Sequence, residues 1–288
     1  MTAAAAGTIT LGGDLTVNRL GFGAMRITGK GIWGPPEDHD TAIAVLRRAV
    51  DLGVHFIDTA DSYGPYVSEE LIAEALTPYP PNLVIATKGG WERPGPGKWT
   101  HNASPSHLRK AVEGSLKRLR VDRIDVYQLH TPDLAVSLEA SMETLAQLRE
   151  QGKIHHIGLS NVTREHIERA RAMVPIVSVQ NRYSFGDREW DYIVNYCADH
   201  GIAFIPWAPL GGGKRALEML ETVAEKLNAT PLQVALAWLL KRSPIMLPIP
   251  GTSSPKHLDE NIAAAALELP DAEFARLSAV TPPPVSLR

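Results

Sequence analysis

Apolar positions along this chain recur in two alternating rhythms. Short continuous runs, such as Phe56-Ile57 and Val84-Ile85-Ala86, read as buried strands, and longer stretches with apolar residues three and four apart read as amphipathic helices. After a hairpin turning near Gly12-Gly13, the pattern places strands near residues 19–24, 55–58, 83–87, 124–129, 155–159, 177–180, 203–207 and 246–249. The helices between them carry start and stop chemistry. Ile43, Leu46 and Val50 share one face and Gly53 supplies a left-handed stop, while Ser104-Pro105 is a cap followed by proline, with Leu108, Val112, Leu116 and Leu119 below it. Thr230-Pro231 and Ser254-Pro255 repeat that signature.

Roughly eight strands alternating with helices admit a closed barrel or an open doubly wound sheet. An open dinucleotide-binding sheet calls for Gly-x-Gly-x-x-Gly after its first strand, and Gly21-Phe22-Gly23-Ala24-Met25-Arg26 puts Arg at the third glycine position. The expected fold is therefore α/β, a (β/α)8 TIM barrel with an N-terminal β-hairpin and extra helices near the C-terminus. Those extra helices fall between Lys214 and Asn228 and after Pro270. A length of 288 residues suits one such barrel, and residues 1–288 are read as a single domain.

Composition narrows the function classes. A formal charge of -3, with no dense Lys/Arg run, disfavours nucleic acid as a partner. Cys197 is the single cysteine, which excludes an internal disulfide and any Cys-rich metal cluster. The Ala-rich opening lacks a signal peptide's charged and apolar regions, and no run approaches the ~18 apolar residues of a membrane span. No membrane partner and a cytoplasmic location are expected; oligomeric state is not legible.

A barrel carries its chemistry at the C-terminal ends of its strands. There the second strand offers Asp58 and, a few residues on, Tyr63; the third ends at Lys88 and the fourth at His130. The other half of the rim, with Ser160-Asn161, Gln180, Trp207 and Gly251-Thr252-Ser253-Ser254, is uncharged, hydrogen-bonding and partly aromatic. That division suits a flat amide-bearing ring stacked on Trp207 and held by Ser160, Asn161 and Gln180, faced by acid–base groups. Taken singly, Lys88 with Asp58 is a rim salt bridge, Tyr63 a structural aromatic and His130 a satisfied core histidine. Together they make a proton donor, because an ammonium beside a phenol lowers the cost of its ionisation.

Other candidates fare worse. His155-His156 lies within the fifth strand, where successive side chains face opposite sides, so a shared metal is not expected. No metal is expected at the rim either, which lacks a His/Asp cluster at ligand spacing and so argues against a metal-assisted hydrolase. His101 falls in a Gly/Pro-rich segment read as an exposed loop. Gly158-Leu159-Ser160-Asn161-Val162 lacks the second glycine of a nucleophile elbow, and no Walker loop is present.

At these residues the chain resembles an aldo-keto reductase. The likeness runs through Gly21 to Met25, Phe56 to Gly64, Ala86-Thr87-Lys88, Asp125 to His130, Gly158 to Asn161, Val179-Gln180-Asn181 and Ile249 to Asn261, in the family's order. It implies a carbonyl reductase that uses NADPH on a small-molecule carbonyl substrate, with Asp58, Tyr63, Lys88 and His130 as its catalytic tetrad. The cofactor positions it implies are Gly23, Ala24, Met25, Asp58, Ser160, Asn161, Gln180, Trp207, Pro209, Leu210, Gly211, Gly251, Thr252, Ser254, His257, Glu260 and Asn261. Many relatives carry Arg where this chain has His257. Within the family the likeness is to the bacterial pyridoxal reductases, through Arg26 to Pro36, Ala42 to Leu52 and Pro231 to Leu240. Trp33, Trp91 and Trp99, on loops after the first and third strands, are then expected to wall a slot for pyridoxal or another aromatic aldehyde beside Tyr63 and His130. The alternative is a nicotinamide-binding regulatory barrel with little turnover, since potassium-channel β subunits share the same resemblance.

Overall fold

In the computed structural model, residues 1–280 are described, so the end of the expected 1–288 domain lies outside the described residues. The chain opens with an antiparallel hairpin of β1 (Thr8–Leu11) and β2 (Leu15–Asn18), joined through Gly12 and Gly13 at φ +63° and +91°. Both values favour glycine, which has no Cβ to clash. Next come β3 (Phe22–Gly23), β4 (Phe56–Asp58), β5 (Val84–Gly89), β6 (Trp91–Gly95), β7 (Lys98–His101) and β8 (Ile124–Leu129). The last strands are β9 (Ile154–Ser160), β10 (Ile176–Gln180) and β11 (Ala203–Phe204). Seven of these form one parallel sheet in the order β11-β10-β9-β8-β5-β4-β3.

The eighth strand expected near 246–249 is not a strand in the structure. One bridge, Phe204 to Met246, stands in its place. The segment nonetheless closes the barrel: Phe204 N–H donates to Ile245 O (2.9 Å), Leu247 N–H to Phe204 O (2.9 Å) and Gly21 N–H to Pro248 O (2.9 Å). Pro206, Pro248 and Pro250 have no N–H to extend a ladder, which is why pairing thins on both sides of this seam. The same shortening leaves β3 and β11 two residues long instead of spanning 19–24 and 203–207. Arg19 reinforces the seam, donating to Leu240 O and Ser243 O, each at 2.6 Å.

Helices α1 (His39–Asp51), α2 (Val67–Leu76), α3 (Pro105–Leu119), α4 (Leu138–Glu150) and α5 (Arg164–Arg171) cover the first half of the sheet. They are followed by α6 (Asp191–Asp199), α7 (Gly213–Lys226), α8 (Pro231–Arg242), α9 (Pro255–Ala263) and α10 (Asp271–Ala279). The caps work as their residues indicate. Ser104, Thr230 and Ser254 each accept a backbone N–H from three residues on, and Gly53 stands at φ +81° just past α1. Helices α7 and α10 are the extra ones. Inside the barrel, Phe56, Val84, Val126, Val177, Ile205 and Leu247 pack together with Leu11 and Val17 of the hairpin. The hairpin thus plugs the floor, and the open end is the rim where strands β4, β5, β8 and β9 finish.

The segment after β5 differs from expectation. Trp91 and Trp99 stand on β6 and β7, an antiparallel hairpin pairing Trp91 with His101, and only Trp33 lies on a loop. Pro94 within the run masked the hairpin in the sequence, although Gly95-Pro96-Gly97 between two aromatic stretches is its turn.

Candidate active site

The rim encloses a cavity of about 520 Å³. Asp58 and Lys88, the last polar residues of β4 and β5, meet at its base. Lys88 is fully buried, and its Nζ donates to Asp58 Oδ2 at 2.6 Å, to Thr59 O at 2.9 Å and toward the Tyr63 hydroxyl at 3.5 Å. Asp58 Oδ1 accepts from the side-chain amides of Gln128 (3.2 Å) and Gln180 (2.8 Å). The carboxylate is therefore saturated with donors. A buried charge pair is tolerable only when its remaining lone pairs are met in this way.

Burial pushes the Tyr63 phenol above its ordinary value, and the ammonium of Lys88 pulls it back without reversing the shift. Lys88 thus acts in the expected direction, lowering the cost of ionising the phenol, but burial outweighs it. Tyr63 is a protonated donor at neutral pH, which is the form a general acid requires. Burial also works against the Lys88 ammonium, but the charge of Asp58 and the neighbouring Tyr63 outweigh it and raise its value. His130 is held well below the usual imidazole range by burial, then by Lys88 and His101. It is a neutral ring, edge-on to Tyr63 with centroids 5.9 Å apart, and its Nδ1 sits 3.5 Å from Ser62 Oγ.

Across the cavity, Gly23, Met25, Ser160, Asn161, Gln180, Trp207, Pro209, Leu210, Gly211 and Gly251 share the lining with Asp58, Tyr63 and His130, while Lys88 lies buried behind them. Asn161 adopts φ +56°, its Nδ2 donates to His130 O (3.0 Å), and its Oδ1 accepts from Trp207 Nε1 (3.0 Å). Asn161 thereby fixes the Trp207 ring. With its Nε2 donating to Asp58 Oδ1 and, at 3.4 Å, to Gln128 Oε1, Gln180 has its carbonyl oxygen to offer a bound group. A Cβ at Gly251 would stand 2.4 Å from Gly23 O, so glycine is needed for this close approach.

Not every expected residue reaches the cavity. Ala24 is buried behind it, its carbonyl taken by Ser68 Oγ (3.1 Å). Thr252, Ser254, His257, Glu260 and Asn261 continue from Gly251 along the start of α9, where Thr252 Oγ1 and Ser254 Oγ each accept a backbone N–H. Trp33 stands outside the lining and is 5.4 Å from the Arg93 guanidinium. Trp91 and Trp99 do line it, edge to face at 5.8 Å, with Trp91 Nε1 donating to Thr131 Oγ1.

Sequence reasoning missed Arg26, Ala208, Ile249 and Pro250 in the lining, and Arg93 behind it. Arg93 Nη1 donates to Ile32 O (3.0 Å) and Ser62 O (2.8 Å) while its guanidinium lies 3.7 Å from the Trp99 ring. It therefore locks the β6–β7 hairpin to the residue before Tyr63. The alternation Trp91, Arg93 on one strand face would have revealed it, once the hairpin was recognised.

The aldo/keto reductase family model matches residues 19–282, and the chain belongs to that family of oxidoreductases. It is 46% identical over 282 residues to pyridoxine 4-dehydrogenase of Escherichia coli, covering 95% of this chain and 98% of the relative. An uncharacterized oxidoreductase of Schizosaccharomyces pombe is 48% identical over 277 residues, covering 96% of this chain and 90% of that protein. Among solved structures, an aldo/keto reductase from Klebsiella pneumoniae in complex with NADP and acetate superposes with a TM-score of 0.82 at 26% identity, over 96% of each chain. No helix among the described residues is long and apolar enough to cross a membrane.

Proposed function

We propose that this chain reduces aromatic aldehydes, pyridoxal first among them, with NADPH, and that Tyr63 donates the proton. The observation that carries this reading is the Tyr63 hydroxyl, buried yet lining the cavity, 3.5 Å from the Lys88 ammonium and opposite the amide-and-Trp207 wall. The residues fit a nicotinamide. Trp207 is held by Asn161 to present its ring, and Gln180 offers an acceptor. When bound there, the nicotinamide supplies a hydride to the carbonyl carbon. Tyr63 protonates the carbonyl oxygen as charge develops on it. Lys88 stabilises the phenolate left behind, Asp58 holds Lys88, and neutral His130 orients the carbonyl through an N–H. Trp91 and Trp99 flank the approach to Tyr63, where a flat ring stacks well.

The direct test is loss of reduced-nicotinamide absorbance when pyridoxal meets the enzyme with NADPH. Turnover to pyridoxine supports the proposal, whereas cofactor binding without turnover would favour a regulatory barrel. The 46% identity to the Escherichia coli pyridoxine 4-dehydrogenase supports the substrate choice. Pyridoxal 5′-phosphate should be poorer by at least about tenfold in kcat/KM, since a buried phosphate wants charge-assisted partners. Among the described lining residues the only lysine or arginine is Arg26, which lies beside Gly251 on the far wall, and Lys88 is buried behind Asp58 and committed to it. Equal efficiency with the phosphate ester, or reaction with aliphatic aldehydes alone, would overturn the substrate assignment.

NADPH should outperform NADH by at least about tenfold in kcat/KM, the worth of one or two charge-assisted hydrogen bonds. The start of α9 presents exposed Lys256 and His257 beside the positive end of the helix dipole, which suits a 2′-phosphate. Equal kcat/KM with the two cofactors at pH 7 would contradict this role for α9.

A further inference from the structure

At the floor of the barrel, opposite the catalytic rim, the β1–β2 turn meets the first residues of β9. Asp14 Oδ1 lies 2.6 Å from His156 Nε2 and Asp14 Oδ2 lies 2.7 Å from His155 Nε2. The two imidazoles do not face opposite sides as strand alternation predicts; their centroids are 4.1 Å apart, with the rings tilted by 50°. Both rings reach one carboxylate because Asp14, on the hairpin turn, presents one oxygen to each. Gly12 is part of the same fit. A Cβ there would fall 2.2 Å from His156 Cε1, so the bare turn is what lets the ring lie against it.

One donor atom from each of Asp14, His155 and His156 can be chosen so that all lie within 4.8 Å of one another. Their exposure is graded: the His156 side chain is 9% exposed, His155 25% and Asp14 51%. This makes a cup with one open side, backed by the strand and reachable from solvent. Nothing in carbonyl reduction uses these groups. A carboxylate with two neutral imidazoles carries one negative charge, which attracts a dication, and the donor set of two nitrogens and one oxygen suits zinc, with water in the fourth position.

We propose that Asp14, His155 and His156 form a zinc site that staples the floor hairpin to β9. Without metal each Nε2–H donates to Asp14; on binding zinc each ring would offer its Nε2 lone pair, the proton moving to Nδ1. Zinc bonds of ~2.0–2.1 Å at tetrahedral angles separate ligand atoms by roughly 3.3 Å, so Asp14 must retreat by about half an ångström from its present contacts. It is half exposed on a turn, where such a shift is small. Bridging the two elements joins residues 141 apart in sequence, from Asp14 to His155.

The test uses full-length, tag-free protein stripped with a chelator and titrated with zinc chloride alone. The expected result is about one equivalent retained through gel filtration and a melting temperature several degrees higher, as for any ligand that binds only the folded state. His155→Gln should weaken zinc binding by more than the ~10–100-fold typical of losing an outer-shell partner. His156→Gln should do the same; because its ring packs on Gly12, the more exposed His155 provides the variant least exposed to misfolding. Cobalt in place of zinc should give the intense visible bands of a four-coordinate ion, lost in His155→Gln. Retention below about a tenth of an equivalent, zinc binding unchanged in both histidine variants, or a faint six-coordinate cobalt spectrum would each overturn the proposal. Metal content is read independently of pyridoxal reduction, so either proposal can fail without the other.

Discussion

Tyr63→Phe is expected to lower pyridoxal reduction by about 10²–10⁴-fold, the usual worth of a positioned general acid. Cofactor affinity should stay near the parent's. The substitution removes one oxygen and leaves the ring edge-on to His130, so the cavity keeps its shape. What is lost is the only hydroxyl that combines contact with the Lys88 ammonium, at 3.5 Å, with a place in the tetrad. The direction of the Tyr63 shift adds a pH signature. Burial holds the phenol above its ordinary value of about 10. The acid form is then present throughout the neutral range, and reduction should not fall for want of it until strongly alkaline pH. The checks are single-turnover rates and titration of cofactor binding by fluorescence. More than a tenth of parental turnover in Tyr63→Phe would show that the proton comes from elsewhere.

Lys88→Met should damage both activity and stability. The aliphatic stem fits the same buried channel, but Asp58 is left as a buried carboxylate facing only the amides of Gln128 and Gln180. Stranding one partner of a buried pair typically costs ~3–5 kcal/mol, which for a barrel of this size lowers the melting temperature by roughly 10 °C. Reduction should fall to the level of Tyr63→Phe, because the phenolate left after proton transfer has lost its counter-charge. The double variant Asp58→Asn/Lys88→Met separates the two effects. It removes both charges, so most of the stability should return while activity does not. A Lys88→Met protein that melts like the parent would mean the pair is not charged in the folded protein.

Much of this arrangement was legible in the sequence, and the places where it was not have physical causes. Asp58, Lys88 and His130 were findable because each ends an apolar run whose burial is unmistakable, and a polar residue at such a point stands on the rim. The apolar run near 246–249 closes the barrel where its pattern indicates, yet it is not a strand, because prolines at 248 and 250 remove the donors that make a ladder. Arg93 and the β6–β7 hairpin were hidden for a related reason: Pro94 interrupts a run that pairs anyway, on an isolated two-stranded edge. The convergence of His155 and His156 on Asp14 depends on how a turn far away in sequence docks, and no local period encodes that. Likewise, the upward shift of Tyr63 reflects how deeply it is buried, which a residue spacing does not state.

The central claim is that this cavity carries a hydride from a nicotinamide to a carbonyl carbon while Tyr63 supplies the proton. NADPH carrying deuterium on the transferred C4 position, given to the enzyme with pyridoxal in ordinary water, tests it most directly. The account predicts pyridoxine bearing one deuterium on the new alcohol carbon, formed in step with cofactor oxidation and nearly abolished in Tyr63→Phe. Cofactor that stays reduced, or pyridoxine without the label, would contradict it.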